Sequence, residues 1–136
     1  MKKFVSFGLM MLPLVLVATS ANARPYPDQL GICYFFSGDK LKQKKPCVIA
    51  TGYGAGSMYT SLEVGKKEYT FTTNTMIDNE ETTYNDKPVY VYSRLMGFYR
   101  ELSDDDVKSG VYEYSDLLPC YRTQDKKLDI CYSSND

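Results

Sequence analysis

Cysteine has the clearest chemistry of any residue type in this chain of 136 residues. In an oxidising compartment, an even set of cysteines predicts disulfides, here two. Spacing favours local pairs, because a turn midway between two cysteines would place them on neighbouring antiparallel strands within disulfide reach. A nested pairing that joins the N-terminal and C-terminal strands is the alternative. The favoured pairs are Cys33 with Cys47, symmetric about Lys40, and Cys120 with Cys131, symmetric about Asp125-Lys126.

Histidine is absent from the chain, and this limits the catalytic chemistry available to it. Histidine is the usual general base near neutral pH, the partner of serine and cysteine nucleophiles, and the commonest nitrogen ligand for zinc. Cysteines held in disulfides cannot act as nucleophiles or metal ligands. We therefore predict no catalytic residue, no metal site, no cofactor and no enzymatic activity.

Carboxylates are the remaining catalytic candidates, since glycoside hydrolysis needs only two suitably placed acids. No spacing singles out a pair, and scattered acids in a small domain are usually solvated surface. The acidic clusters at residues 78–81 and 104–106 lack the alternating ligands and central glycine of an EF-hand loop. A minimal glycan hydrolase therefore stays an alternative. The acids considered for it are Glu63, Glu68, Glu80, Glu81, Glu101 and Glu113.

The glycine-rich segment from Gly52 to Tyr59 is the candidate binding site. Alternate glycines permit positive φ or close backbone approach, but the segment lacks the strand-to-helix context and the lysine of a nucleotide-binding loop. We interpret it as a bulged or sharply bent strand edge. Tyrosine supplies amphipathic contact area at interfaces, and two tyrosines flank the glycines. The predicted binding residues are Tyr53, Gly54, Gly56, Ser57 and Tyr59.

The run Gly56-Ser-Met-Tyr59 is similar to the S-G-x-x-Y loop of periplasmic inhibitors of C-type lysozyme. Members of that family are small disulfide-bearing β-barrels that insert this loop into the lysozyme cleft. The similarity is confined to four or five residues, and Ala55 stands where the family has its serine. It implies a loop that enters an enzyme cleft, and it assigns no family.

Residues 1–23 have the order of a secretory signal peptide. The lysines Lys2 and Lys3 precede an apolar run at residues 4–18 and an A-x-A cleavage site at residues 21–23. An uncleaved membrane anchor is the less favoured alternative, because about 20 apolar residues are needed to span a bilayer. We expect cleavage after Ala23, no stable membrane insertion afterwards, and one periplasmic or secreted domain of residues 24–136.

The charge balance argues against a nucleic-acid partner. The chain has 16 basic and 17 acidic residues, and removal of Lys2 and Lys3 leaves 14 and 17, a net charge of −3. Nucleic-acid binding normally needs a basic stripe. The exception is the basic run Lys40–Lys45, which lies between a turn signal and Pro46. We interpret this run as a solvated loop in preference to a contact with an anionic surface.

Short runs of β-branched and aromatic residues between turn formers predict a mainly β fold. We expect a small antiparallel barrel or sandwich of seven to eight short strands, two disulfides and at most one short helix. That helix is predicted to be capped by Ser103 and to end before Gly110. Residues 88–93 and 111–115 are predicted as two strands. The runs 89–95 and 111–117 match at five of seven positions, and their tyrosines would share matching faces if the two strands lie close together. The other predicted strands cover residues 32–36, 47–51, 59–64 and 68–73 and the surroundings of Cys120 and Cys131.

Export, small size, disulfides and abundant tyrosine favour a non-enzymatic binding protein. We expect another protein as partner, and an inhibitor or immunity-type role against an envelope-targeting enzyme. A glycan is an alternative ligand, although the absence of tryptophan removes the strongest stacking platform. A structural accessory of the cell envelope or of a surface assembly is a further alternative.

Overall fold

The computed structural model describes residues 24–76 and 80–134, and this part of the chain is almost entirely antiparallel β-sheet. It contains ten strands, one short helix and a single 3₁₀ turn. The strands are β1 (Arg24–Pro25), β2 (Gln29–Ser37), β3 (Lys40–Gly54), β4 (Ser57–Val64), β5 (Lys67–Asn74), β6 (Glu81–Tyr84), β7 (Lys87–Leu95), β8 (Glu101–Leu102), β9 (Leu117–Thr123) and β10 (Asp129–Ser134). The helix is α1 (Asp104–Lys108), and the 3₁₀ turn is Tyr114–Asp116.

Eight of these strands close into an antiparallel barrel. Strands β2 to β7, β9 and β10 neighbour one another in chain order, and β10 pairs with β2 to close the circle. This is the up-and-down arrangement, in which each strand reverses the direction of the one before it. The two-residue strands β1 and β8 pair with β3 and β7. The predicted barrel with at most one short helix is confirmed, and the sandwich is excluded.

The alternation of strand direction sorts the chain connections between the two ends of the barrel. At one end, which we call the turn end, lie the tight turns at residues 38–39, 65–66 and 85–86 and the β9–β10 connection. The opposite end, the excursion end, carries the β3–β4 turn, the β5–β6 connection and the long excursion of residues 96–116 between β7 and β9. Side chains from distant parts of the sequence therefore meet at each end.

The inner face of the barrel holds one of two hydrophobic clusters. Phe71 on β5 stacks on Tyr121 on β9 with ring centroids 4.0 Å apart, although these strands are not neighbours in the sheet. This contact joins opposite walls through the barrel interior. Burial of each large apolar side chain contributes about 1.5–3 kcal/mol. The buried members of this inner cluster are Cys33, Cys47, Ile49, Leu62, Tyr69, Phe71 and Ile130.

The second cluster lies on the outer face of the β2–β10–β9–β7 part of the barrel. Because side chains alternate between the faces of a strand, Tyr34 and Phe36 on β2 point outward. The excursion covers them, and Tyr99 packs its ring 5.7 Å from Tyr34 and 5.6 Å from Phe36, centroid to centroid. This wall of the barrel therefore has a hydrophobic layer on both sides.

Both favoured disulfides are present. Cys120 and Cys131 are direct cross-strand partners with Cα atoms 4.0 Å apart, as their symmetry about the β9–β10 connection predicted. Cys33 and Cys47 are bonded at a Cα distance of 5.9 Å but lie diagonally, since Cys33 is opposite Lys45. The reason is that the β2–β3 turn, at residues 38–39, comes earlier than the predicted centre at Lys40. The register shift opposite Phe35 and Phe36 reduces this offset by one residue without removing it. The Cys120–Cys131 disulfide belongs to the outer cluster, and the Cys33–Cys47 disulfide belongs to the inner cluster.

The short helix is confirmed, and one predicted strand is wrong. Ser103 accepts the backbone N–H of Asp106 and the Asp106 carboxylate accepts that of Ser103, so the two residues form a capping box. The run from residue 111 to 117, however, contains a bend and the 3₁₀ turn rather than a copy of β7. Its tyrosines share no sheet face with those of β7, because the Asp116 carboxylate accepts the Glu113 N–H and stabilises the turn.

The basic run Lys40–Lys45 forms the first part of β3, so the interpretation as a solvated loop is wrong. It pairs with β2 on one side, and β4 joins the other side only from Val48 onward. Among the described strands, none pairs with this edge over residues 40–47. Lysines, prolines and bulges protect such edges from pairing with other chains. The edge carries all three: its lysines, Pro46, and the bulge opposite Phe35 and Phe36, where Lys42 of β3 has no cross-strand partner.

Candidate functional site

A buried charged network on the outer face of the barrel positions the excursion. Arg94 on β7 is 0% exposed. Its Nη2 donates to Asp129 Oδ2 at 3.1 Å and to the Gly38 carbonyl at 3.0 Å. Its Nη1 donates to the Tyr99 carbonyl and its Nε to the Tyr92 hydroxyl, both at 3.0 Å. One side chain therefore ties the excursion and the β2–β3 turn to the barrel wall.

The remaining bonds of this network neutralise the buried carboxylate. Asp129 also accepts the Tyr92 hydroxyl and Arg122 Nε, the latter at 3.1 Å, and Arg122 Nη2 donates to Glu101 at 2.7 Å. Burial raises the pKa of Tyr92 to about 12, and its hydrogen bond to Asp129 acts in the same direction. Because donors surround Asp129 and it is buried, we interpret the network as a structural clamp rather than a proton-transfer site.

The predicted binding segment forms a tight hairpin turn between β3 and β4. Ala55 has φ +52° and Gly56 has φ +80°, which is the pattern of a type I′ turn. Gly54 and Ser57 are the last paired residues, and the Ser57 hydroxyl donates to the Gly54 carbonyl at 3.2 Å. The N–H and hydroxyl of Thr75 both donate to the Gly56 carbonyl at 2.8 Å. The segment is thus a braced turn and not a bulged strand edge.

The two predicted tyrosines point to opposite faces of this hairpin. Tyr53 is cross-strand partner to Met58 and lies with its ring centroid 5.8 Å from that of Tyr26. Tyr59 instead covers Gly52, where an added Cβ would come within 2.6 Å of the tyrosine ring. The five predicted residues therefore share one hairpin but not one surface. Tyr59 belongs to the packing of the outer sheet face.

A group of exposed apolar side chains surrounds the hairpin, and we call it the hairpin patch. Its members are between 42% and 78% exposed. Met76 packs directly against Gly56, where an added Cβ would collide with the Met76 sulfur atom. Only Tyr53 was predicted from the sequence, because the others are distant in the chain or are not aromatic. The hairpin patch consists of Tyr26, Tyr53, Met58 and Met76.

The excursion exposes a second apolar set that the sequence prediction missed. Phe98 is 84% exposed and lies in a tight turn, in which the Tyr99 N–H donates to the Leu95 carbonyl at 2.6 Å. Arg94 fixes the same turn through the Tyr99 carbonyl. Phe98 is therefore displayed by a held turn rather than by a loose loop. The exposed apolar side chains of the excursion are Met96, Phe98, Val111 and Tyr114.

Charged side chains are distributed unequally between the ends of the barrel. The acidic residues at the excursion end outnumber the basic residues Arg24, Arg100 and Lys108 there, whereas lysines predominate at the turn end. The hairpin patch therefore lies at the more acidic end, opposite the lysine-rich turn end, whereas Arg94 joins the Phe98 turn to the β2–β3 turn. The acids of the excursion end are Asp28, Glu80, Glu81, Asp104, Asp105, Asp106, Glu113 and Asp116.

Comparison with known proteins assigns no family to this chain. No family model, curated protein or solved structure matches this chain. The two disulfides are compatible with an exported protein, because such bonds persist in oxidising compartments. The predicted signal peptide, residues 1–23, lies outside the described residues. Within the described ranges, no helix is long and apolar enough to cross a membrane.

The carboxylates considered for catalysis are spread over several elements in the described part of the chain. Glu63 and Glu68 are direct cross-strand partners, but both are exposed on the barrel wall. Glu101 is bonded to Arg122, and the acids of α1 form its first turn. Residues 24–76 and 80–134 contain no group of three or more acids or cysteines that could hold a metal ion. The acidic cluster that begins at Asp78 lies partly outside these ranges.

The Ala55→Asn substitution is expected to raise the free energy of unfolding by about 0.5–1 kcal/mol, because asparagine tolerates the left-handed conformation and Asn-Gly suits a type I′ turn. The opposite control is Gly56→Ala, which should lower it by about 1–2 kcal/mol because its φ is +80°. Urea unfolding of both variants measures these changes. A destabilised Ala55→Asn variant would contradict the turn type.

Proposed function

We propose that this chain is an exported, non-enzymatic binding protein that recognises another protein through the excursion end of its barrel. The supporting observation is the placement of the exposed apolar side chains. Of the eleven large apolar side chains exposed in the described residues, eight belong to the hairpin patch and the excursion. Single exposed apolar residues are ordinary, but a concentration of them at one end is typical of an interaction site.

The composition of this end supports a protein partner. Tyrosine, phenylalanine and methionine are enriched in protein interfaces. The acidic surround supports a partner with a basic rim around an apolar centre, since complementary charges speed association and exclude wrong partners. We propose an envelope-targeting enzyme with such a rim as the partner, and an inhibitor or immunity-type role for this chain.

Rigid display of the contact residues supports the same proposal. The type I′ turn is braced by Thr75, and the Phe98 turn is held by Arg94. Contact residues that are already ordered lose less conformational entropy on binding, which favours affinity. A disordered loop with the same residues would bind more weakly.

Partner capture with the purified residues 24–136 as bait tests the proposal, followed by affinity measurement with the purified captured protein. The pair Tyr53→Ala and Met58→Ala is expected to weaken binding at least about tenfold, as is Phe98→Ala, because aromatic and well-packed anchors dominate interface energies. The matched control is Val91→Thr, an exposed apolar position of β7 that belongs to neither apolar set.

Binding that is unchanged by all three excursion-end substitutions would contradict the proposal. Tyr59→Ala is a less informative variant, because Tyr59 packs over Gly52 rather than on the proposed contact surface. Loss of binding in that variant would report on the sheet rather than on the contact surface.

A structural accessory is the second candidate, and the open edge of β3 is the observation that favours it. An unpaired strand edge can add a strand from another copy of the chain. The lysines and Pro46 along this edge oppose such pairing, so we favour the binding protein. Sedimentation velocity over a wide concentration range distinguishes the two, because only the accessory should self-associate.

A further inference from the structure

The turn end of the barrel concentrates the lysines of the domain. Of the ten lysines that follow residue 23, nine lie in the connections of this end or on the adjoining edge of β3, and the tenth is Lys108 in α1. Five acids share this region: Asp39, Glu63, Glu68, Asp86 and Asp125. The nine lysines are Lys40, Lys42, Lys44, Lys45, Lys66, Lys67, Lys87, Lys126 and Lys127, all exposed.

The positions of these lysines on the barrel determine which kind of anionic partner they can contact. Every connection of the turn end has a lysine within it or directly beside it, so the positive charge covers the whole end of the barrel. The charge sits on projecting turns rather than in a concave pocket. Projecting charges on several turns fit a broad anionic surface better than a small anion.

The positions of the exposed apolar side chains help to distinguish a lipid surface from a nucleic acid as the anionic partner. Within the described ranges, none of the large exposed apolar side chains lies in the connections of the turn end. Single-stranded nucleic acids are bound on exposed aromatic platforms, and duplexes by an element that enters a groove. The aromatic rings beneath two of the lysines, Tyr34 below Lys44 and Tyr69 below Lys67, are themselves buried.

We infer that the turn end docks electrostatically on the phosphate headgroups of an anionic lipid bilayer. Lysines near such a surface each add several-fold to the binding constant. Because none of the described connections of the turn end carries a large exposed apolar side chain, docking depends mainly on charge and is reversed by salt. The acidic excursion end is repelled from the same surface. A docked molecule therefore presents the hairpin patch outward, away from the lipid.

Vesicle co-sedimentation of residues 24–136 tests this inference. The wild type is expected to bind vesicles with about 30% phosphatidylglycerol in phosphatidylcholine at about 20 mM salt, and to dissociate at about 500 mM. It should not bind pure phosphatidylcholine. The variant K66Q/K67Q/K126Q/K127Q is expected to bind the anionic vesicles at least about 30-fold more weakly.

A matched set of changes at the other end separates a local surface from net charge. The variant E80Q/E81Q/D104N/D105N changes net charge by the same amount with opposite sign, and it should bind at least as well as the wild type. Combining both sets restores the net charge but should not restore binding. If the changed lysines disturb folding by circular dichroism, K40Q/K87Q provides a second test of the same end.

Three results would overturn the inference. One is wild-type protein that fails to bind the anionic vesicles at low salt, and another is binding that follows net charge in the combined variant. The third is tighter binding to duplex DNA than to the vesicles at equal phosphate concentration, which would assign the surface to a polyanion. None of these measurements uses the protein partner, so they fail or succeed independently of the proposed function.

Discussion

The Arg94→Met variant is expected to lose about 3–5 kcal/mol of unfolding free energy, because removal of one partner of a buried ion pair leaves the other charge uncompensated. Arg94 is fully buried and donates to the carboxylate of Asp129 and to the carbonyls of Tyr99 and Gly38. Methionine fills a similar volume but offers no donor. Arg122 still contacts Asp129 in this variant, so we expect the loss of unfolding free energy to lie in the lower part of this range.

Guanidinium chloride unfolding of Arg94→Met, beside Arg100→Met, measures this effect. Arg100 is exposed and donates to the Tyr112 hydroxyl at 2.6 Å, so its replacement should change stability by no more than about 1 kcal/mol. Limited proteolysis should also cut Arg94→Met near Phe98, because the Tyr99 carbonyl has lost its donor. Equal stabilities of the two variants would show that the buried network is not the clamp described above.

The elements predicted correctly are those whose signals are local in the sequence. Ser103 and Asp106 cap α1 without help from the rest of the fold. Cys120 and Cys131 are joined across a short connection, so symmetry about that connection was sufficient to pair them. Closure of the barrel has no such local signal, because the pairing of β10 with β2 joins opposite ends of the described chain.

The elements that were missed depend on tertiary partners. Residues 81–84 lie in a polar stretch, yet they form β6 because β5 and β7 offer free edges on either side. The lysines of β3 carry no strand signal, and pairing with β2 imposes the strand on them. In both cases sheet hydrogen bonding overrides a weak local preference.

The candidate site was predicted only in part for the same reason. The sequence led to Tyr53 and its hairpin, where glycines mark the turn. Tyr26 and Met76 reach the same surface only because the barrel brings β1 and the end of β5 beside that hairpin. Arg94 had one usable signal, its alternation with Tyr92, which places a charged residue on the covered face of a strand.

Removal of both disulfides is expected to unfold the domain at neutral pH. The bonds close loops of 14 and 11 residues, and each constrains the unfolded chain by about 3 kcal/mol. Together they contribute about 6 kcal/mol, which is comparable with the whole stability of a small domain, about 5–15 kcal/mol. The variant with all four cysteines changed to alanine should therefore lose its near-ultraviolet circular dichroism.

The two bonds are expected to contribute separately, because one lies inside the barrel and the other on its outer face. The pairs C33A/C47A and C120A/C131A should each stay folded and lose about 3 kcal/mol, with additional loss from the cavities that alanine leaves. All four cysteines are at most 5% exposed, so a reductant should reach them only as the protein unfolds. Reduction of the wild type should then follow the unfolding rate. A fully reduced domain that stays folded would contradict this expectation.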